Sequence, residues 1–157
     1  MEKNSDTSAF NINYPPSTLE LEHEIKASTN IEDYLEKNSP HMLSHSLSEH
    51  LQMLLEQKGL SRADVVRDSL LNRTYVYQIF DGSRMPSRNK LIAVAFGIHL
   101  SAEEAQTMLK LAGYRSLYAK DERDAIILFA LNQKKNIEET NELLYDHGME
   151  VLGVPES

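Results

Sequence analysis

The sequence predicts an all-α protein: a five-helix domain built around two short helices joined by a tight turn, with short N-terminal helices before it and a C-terminal helical extension after it. Three observations predict this. Apolar residues return at i, i+3 and i+4 along most of the chain, the spacing of one face of a helix. Ser or Asn stands ahead of these stripes, in several cases with an acid three residues on, which is the reciprocal capping pattern of a helix start. Glycines at 59, 82, 113 and 148 close four of the stripes, as expected of residues that adopt a left-handed helix end at no steric cost. At 157 residues the chain is long enough to bury about 70 % of its unfolded surface.

Residues 1–16 are polar, end in proline and read as a mobile lead-in. Residues 17–46 form an acidic helical arm. Ser17 and Glu20 make a capping box for a helix reaching Thr29, with a thin stripe from Leu19 and Leu21, and Asn30 caps a second helix to Lys37 with Ile31, Tyr34 and Leu35 on one face. The stretch SPHMLSHS then interrupts the pattern. Residues 47–113 form the main domain. Ser46 and Glu49 box its first helix, which carries Leu47, Leu51, Leu54 and Leu55 and ends at Gly59. Ser61 and Asp64 box the second, which runs to about Asp68 with Val65 and Val66 as its apolar edge. Asn72 caps the third, whose Val76, Ile79 and Phe80 point inward and whose end is Gly82. Ser87 opens a fourth helix with Leu91, Ile92, Ala95 and Phe96, and Ser101 with Glu104 opens a fifth with Ala105, Met108, Leu109 and Ala112.

Residues 114–157 form the extension, and part of it repeats the fifth helix at an offset of 35 residues. Glu103, Glu104, Leu109, Gly113 and Leu117 recur as Glu138, Glu139, Leu144, Gly148 and Leu152, five identities in 17 positions, with Ser101 and Asn136 as corresponding caps. Between the copies, residues 121–133 read as a helix whose centre, AIILFAL, is apolar on every side. Such a helix is expected to be buried, as the core between the two copies.

Residues 60–86, LSRADVVRDSLLNRTYVYQIFDGSRMP, resemble the phage-repressor type of helix-turn-helix, the Xre/Cro-like family. Ser61, Val65, Val76, Ile79, Gly82 and Pro86 carry the resemblance, which extends over about residues 47–112. The sequence departs from the family at three positions: Leu70 replaces the usual turn glycine, Val66 a small alanine, and Arg62 a phosphate-binding glutamine. Leu70 and Val66 suggest a slightly altered crossing of the two helices, whereas Arg62 keeps a phosphate contact. The resemblance implies binding to double-stranded DNA, with the second motif helix in the major groove, and a homodimer on a near-palindromic site. Arg73, Thr74, Tyr77 and Gln78 then face base edges, where Arg suits guanine and Gln suits adenine. Arg62, Asn72, Tyr75, Ser83, Arg84 and Arg88 are the candidate phosphate contacts. Lys90 adds to the same basic stretch.

The net charge of −8 is unevenly placed: residues 47–100 carry +2 and each flank −5. A weakly basic island between acidic flanks implies modest nonspecific affinity and strong salt dependence. There is no cysteine, hence neither a disulfide framework nor a thiolate metal site. The longest apolar run, 91–98, has eight residues, far below the roughly 20 of a membrane span, and residues 1–17 lack the apolar core of a signal peptide. The expectation is a cytoplasmic protein with no membrane contact.

His41, His45 and His50 read as a solvated linker better than as zinc ligands, because Pro40 opposes the helix that would align them and nothing completes a ligand set. The acids of DERD, 121–124, read as compensation of a helix dipole better than as an acid/base pair. No phosphate-loop, dinucleotide or nucleophile-elbow pattern occurs, so neither an enzyme nor a cofactor is expected. The competing class is a protein-interaction adaptor on the same scaffold, with the acidic arm, the extension and the tyrosines serving a protein partner such as a kinase or toxin.

Overall fold

The computed structural model describes residues 15–153, so that positions 1–14 of the lead-in and 154–157 of the extension lie outside the described residues. Among the described residues the regular structure is helical, with nine α-helices and one short 3-10 turn and no strand. None of these helices is long and apolar enough to cross a membrane. The chain divides into two compact units, Met1–Met42 and Leu43–Ser157.

In the first unit, α1 (Thr18–Ala27) starts from the Ser17–Glu20 capping box and buries none of its residues. The helix α2 (Ile31–Lys37) is capped by Asn30, which accepts from the Asp33 N–H. Asn38 donates to Glu24 at 2.8 Å and to the Tyr34 carbonyl at 3.1 Å, tying the end of α2 to α1. A 3-10 turn at Ser39–His41 takes up Pro40.

The second unit holds α3 (Leu43–Lys58), α4 (Arg62–Ser69), α5 (Arg73–Phe80), α6 (Arg88–Gly97), α7 (Ala102–Leu111), α8 (Glu122–Asn132) and α9 (Ile137–Asp146). The expected box at Ser46 and Glu49 does not form. The helix opens at Leu43 instead, directly after the 3-10 turn, so Ser46 already lies inside it. His45 and His50 are therefore helical and His41 is in the turn; His45 lies 3.6 Å from Glu49. Among the described residues no three His, Asp or Glu converge on a metal position.

One apolar cluster runs from Leu47 to Leu152 through every helix of this unit, so residues 121–152 belong to the same core as the paired helices α4 and α5. Each large side chain in it, such as Phe80, Leu91 or Ile127 at 0 % exposure, contributes about 1.5–3 kcal/mol of transfer free energy. The closest packing is α6 on α4. A Cβ on Gly97 would stand 3.0 Å from the Val65 side chain and carbonyl and 3.1 Å from Ser69 Cβ, so a larger residue requires α4 to give by a few tenths of an ångström.

The internal repeat is longer than the sequence signal. Residues 88–117 and 123–152 align at the same offset of 35 with eight identities in 30 positions. Each copy is a helical hairpin with a returning tail, α6–α7 and α8–α9. The Gln106 side chain clamps Leu117 by donating to its carbonyl at 2.9 Å and accepting its N–H at 2.7 Å. Asn141 does the same for Leu152 at 2.9 and 2.7 Å. Both interhelix turns carry a non-glycine residue in the left-handed region, His99 at φ 59° and Lys134 at φ 57°. Arg88 Nε donates to the Arg115 carbonyl, and its counterpart Arg123 Nε donates to the Glu150 carbonyl.

Across the two hairpins the contacts are reciprocal. Arg88 reaches Asp124, and Arg123 reaches Asn89, the counterpart of Asp124; α6 packs on α9 and α7 on α8. Such exchange is the mark of a two-fold, isologous pairing, here within one chain. Consequently α8 is not an all-round buried rod between two copies but the first helix of the second copy. Ile127, Ala130 and Leu131 enter the core, while Phe129 is 51 % exposed. Its counterpart Val94 is fully buried because α6 and α7 also pack on α4 and α3.

Candidate nucleic-acid interface

The α4–α5 pair is set by local hydrogen bonds. Ser61 Oγ accepts from the Asp64 N–H and the Ser61 N–H donates to Asp64 Oδ2 at 2.9 Å, which holds the Asp64 carboxyl below its ordinary range and starts α4 with Arg62 at its first position. Between the helices, Leu70 takes φ 63°. It thus adopts the left-handed backbone of a turn glycine at a cost of about 1–2 kcal/mol. Ser69 Oγ accepts from the Leu71 N–H, and Leu71 is buried. Asn72 Oδ1 then accepts from the Tyr75 N–H and opens α5.

Val76, Ile79 and Phe80 lie at 0 % exposure on the inner side of α5. At its end, Gln52 of α3 donates to the Phe80 carbonyl at 2.6 Å, while the Ser83 and Arg84 N–H groups donate to the Gln78 carbonyl at 3.0 and 3.3 Å. Asp81 accepts from the Ser83 N–H at 2.9 Å, and its bonding to Ser83 lowers its pKa.

The outer side carries a row of cations, rings and donors in two contact groups, Arg62–Tyr77–Arg73 and Gln78–Arg84–Tyr75–Lys90. The Arg62 guanidinium carbon stands 5.5 Å from the centre of the Tyr77 ring and 5.9 Å from that of Phe80. Arg73 lies 5.6 Å from the Tyr77 ring and donates to its hydroxyl at 3.2 Å. Arg84 Nε donates to Gln78 Oε1 at 2.7 Å, and its guanidinium carbon is 5.1 Å from the Tyr75 ring. Lys90 Nζ is 4.3 Å from the same ring. These contacts orient flexible cations on flat apolar surfaces at low entropic cost. Thr74 is exposed beside them, as are Asn72 and Ser83. Tyr75 also packs partly against the core, which fixes its ring.

Arg88 is not part of this row. Its Nη1 and Nη2 donate to Asp124 at 3.3 and 2.9 Å, and its other bonds go to the carbonyls of Arg115 and Ser116. The expectation of a phosphate contact gives way to an inward ion pair with a carboxylate 1 % exposed. Asp124 likewise does more than compensate a helix dipole. It also accepts from Arg115 at 3.2 Å and from the Tyr118 N–H at 3.0 Å. Burial pushes its pKa upward, but the bonds from Arg88 and Tyr118 and the two guanidinium charges outweigh that and leave it lowered. The signal that could have found this role is the repeat: Arg88 and Arg123 stand 35 residues apart at the starts of matching helices. Lys90, in turn, takes a place in the row that was expected of Arg88.

Chemically, the row offers donors on flexible stems suited to phosphate oxygens and polar side chains able to meet base edges. Comparison with protein-family models, with curated proteins and with solved structures gives no match.

Proposed function

We propose that this chain is a sequence-specific double-stranded DNA-binding protein, a transcriptional regulator of the phage-repressor type, in which α3–α7 form the five-helix domain and α5 enters the major groove. The observation that carries this reading is the pair of contact groups made by Arg62, Arg73 and Tyr77 and by Gln78, Arg84 and Lys90, carried on α4, α5, the loop after α5 and the start of α6, within the one basic stretch of an acidic chain. Arg73, Thr74, Tyr77 and Gln78 meet base edges; Arg62, Asn72, Tyr75, Ser83, Arg84 and Lys90 hold the phosphate backbone. The same proposal includes a cytoplasmic homodimer that places two copies of α5 in successive major grooves.

Selection of bound sequences from random duplex DNA tests it: an enriched motif is the expected result, and a flat pool rejects it. A flat pool would favour the adaptor reading, for which the exposed Phe129 and Tyr145 of α8 and α9, at 51 % and 77 % exposure, are the specific observation.

A further inference from the structure

Gln78 and Arg84 are joined in a way that restricts what the glutamine can recognise. Arg84 Nε can only donate, so the partner it meets at 2.7 Å is the carboxamide oxygen. The guanidinium is itself held by the Tyr75 ring at 5.1 Å, and the Arg84 N–H is bonded to the Gln78 carbonyl at 3.3 Å. Gln78 is therefore left with its two amide N–H donors and one of its oxygen's two lone pairs, and that lone pair lies beside a positive charge. Reading adenine bidentately requires Gln to donate to N7 and accept from the N6 amino group at once. An N6–H brought to this oxygen would approach the guanidinium N–H groups, donor against donor. Guanine offers two adjacent acceptors, N7 and O6, and meets the amide N–H groups and the remaining Arg84 N–H groups without such a conflict.

We propose that Arg84 is a specificity-determining residue: by bonding one lone pair of the Gln78 amide oxygen and setting guanidinium donors beside the other, it makes the pair predominantly a donor and so selects guanine rather than adenine. The proposal rests on the DNA-binding reading above. It replaces the adenine assignment that the residue type alone suggests for Gln78, and it gives Arg84 a part in sequence choice beyond that of a phosphate contact.

The test is random-duplex selection with the full chain as wild type, Gln78→Ala and Arg84→Ala, followed by titrations on duplexes altered at the position where Gln78→Ala loses its preference. Both side chains lie outside the buried core, and the helical signal of each variant checks its fold. The wild type is expected to hold guanine there and to lose about ten-fold in affinity when 7-deazaguanine, which lacks the N7 acceptor, replaces it. Arg84→Ala is expected to move the preference at that one position from guanine toward adenine, because the freed oxygen can accept. The proposal is overturned if the wild type holds adenine there, if Gln78→Ala changes no position, or if Arg84→Ala weakens all sequences alike and leaves the preference intact. Any of these leaves DNA binding standing, whereas a flat pool for the wild type removes the DNA-binding reading and the proposal with it.

Discussion

Replacing Asp124 by alanine separates a structural from a DNA-contacting role for Arg88. The carboxylate is 1 % exposed and accepts from Arg88 at 2.9 and 3.3 Å, from Arg115 at 3.2 Å and from the Tyr118 N–H at 3.0 Å. Removing one partner of a buried pair costs about 3–5 kcal/mol, mostly through the charge left behind. Here the lower end applies. Arg88 keeps the Arg115 and Ser116 carbonyls, and the Arg115 side chain is 61 % exposed and can turn to water. A loss of about 3 kcal/mol corresponds to a melting temperature lower by roughly 10 °C for a unit of this size.

Thermal unfolding followed by circular dichroism measures that loss, and acid gives an independent check. The Asp124 pKa is lowered in the folded state, so its stabilisation is complete above the ordinary carboxyl value of about 4 and disappears as pH falls through the folded value. The gap between wild type and Asp124→Ala is therefore expected to narrow below about pH 4. Arg88→Ala is expected to lower the melting temperature comparably while leaving the slope of log affinity against log salt unchanged. A phosphate contact would instead flatten that slope by about one unit and cost little stability. Variants that melt within about 2 °C of wild type, less than 1 kcal/mol, would refute the buried-pair reasoning.

Three further outcomes are expected. Gly97→Ala places a methyl 3.0 Å from Val65 and is expected to cost about 1–3 kcal/mol by overpacking, read as a lower denaturant midpoint. Gln106→Leu and Asn141→Leu each leave the N–H and carbonyl of a buried leucine without the side-chain clamp; similar losses of about 1–3 kcal/mol in the two unfolding titrations are the expected result of a repeated device. Removal of residues 1–42, which stops at the unit boundary and spares α3, takes away an acidic segment and is expected to strengthen DNA binding most at low salt, measured by titration at two salt concentrations.

What the sequence determined by itself was local. The Ser61–Asp64 and Ser101–Glu104 boxes, the Asn72 cap and the left-handed glycines at 59, 82, 113 and 148 occur where the spacing placed them. A cap is satisfied within three residues and an apolar stripe within two turns, so neither needs a distant partner. The inward set Val76, Ile79 and Phe80 was legible for the same reason, and with it the outward set on the opposite side of α5. Half of the repeat was legible because its identities fall in α7, α9 and their tails. The other half hid in α6 and α8, whose apolar residues surround the helix and carry no face.

Only the tertiary structure decided where long side chains spend their charges. Arg88 and Lys90 are both basic residues beside the same turn. One finds a carboxylate 36 positions away in the chain and the other a tyrosine ring, and nothing within a helical turn of either distinguishes them. The exposure of Phe129 follows from which hairpin packs on α3 and α4. Periodicity assigns a residue to a face. The element that covers that face, and the partner that meets a charge there, are set by contacts between segments far apart in the chain.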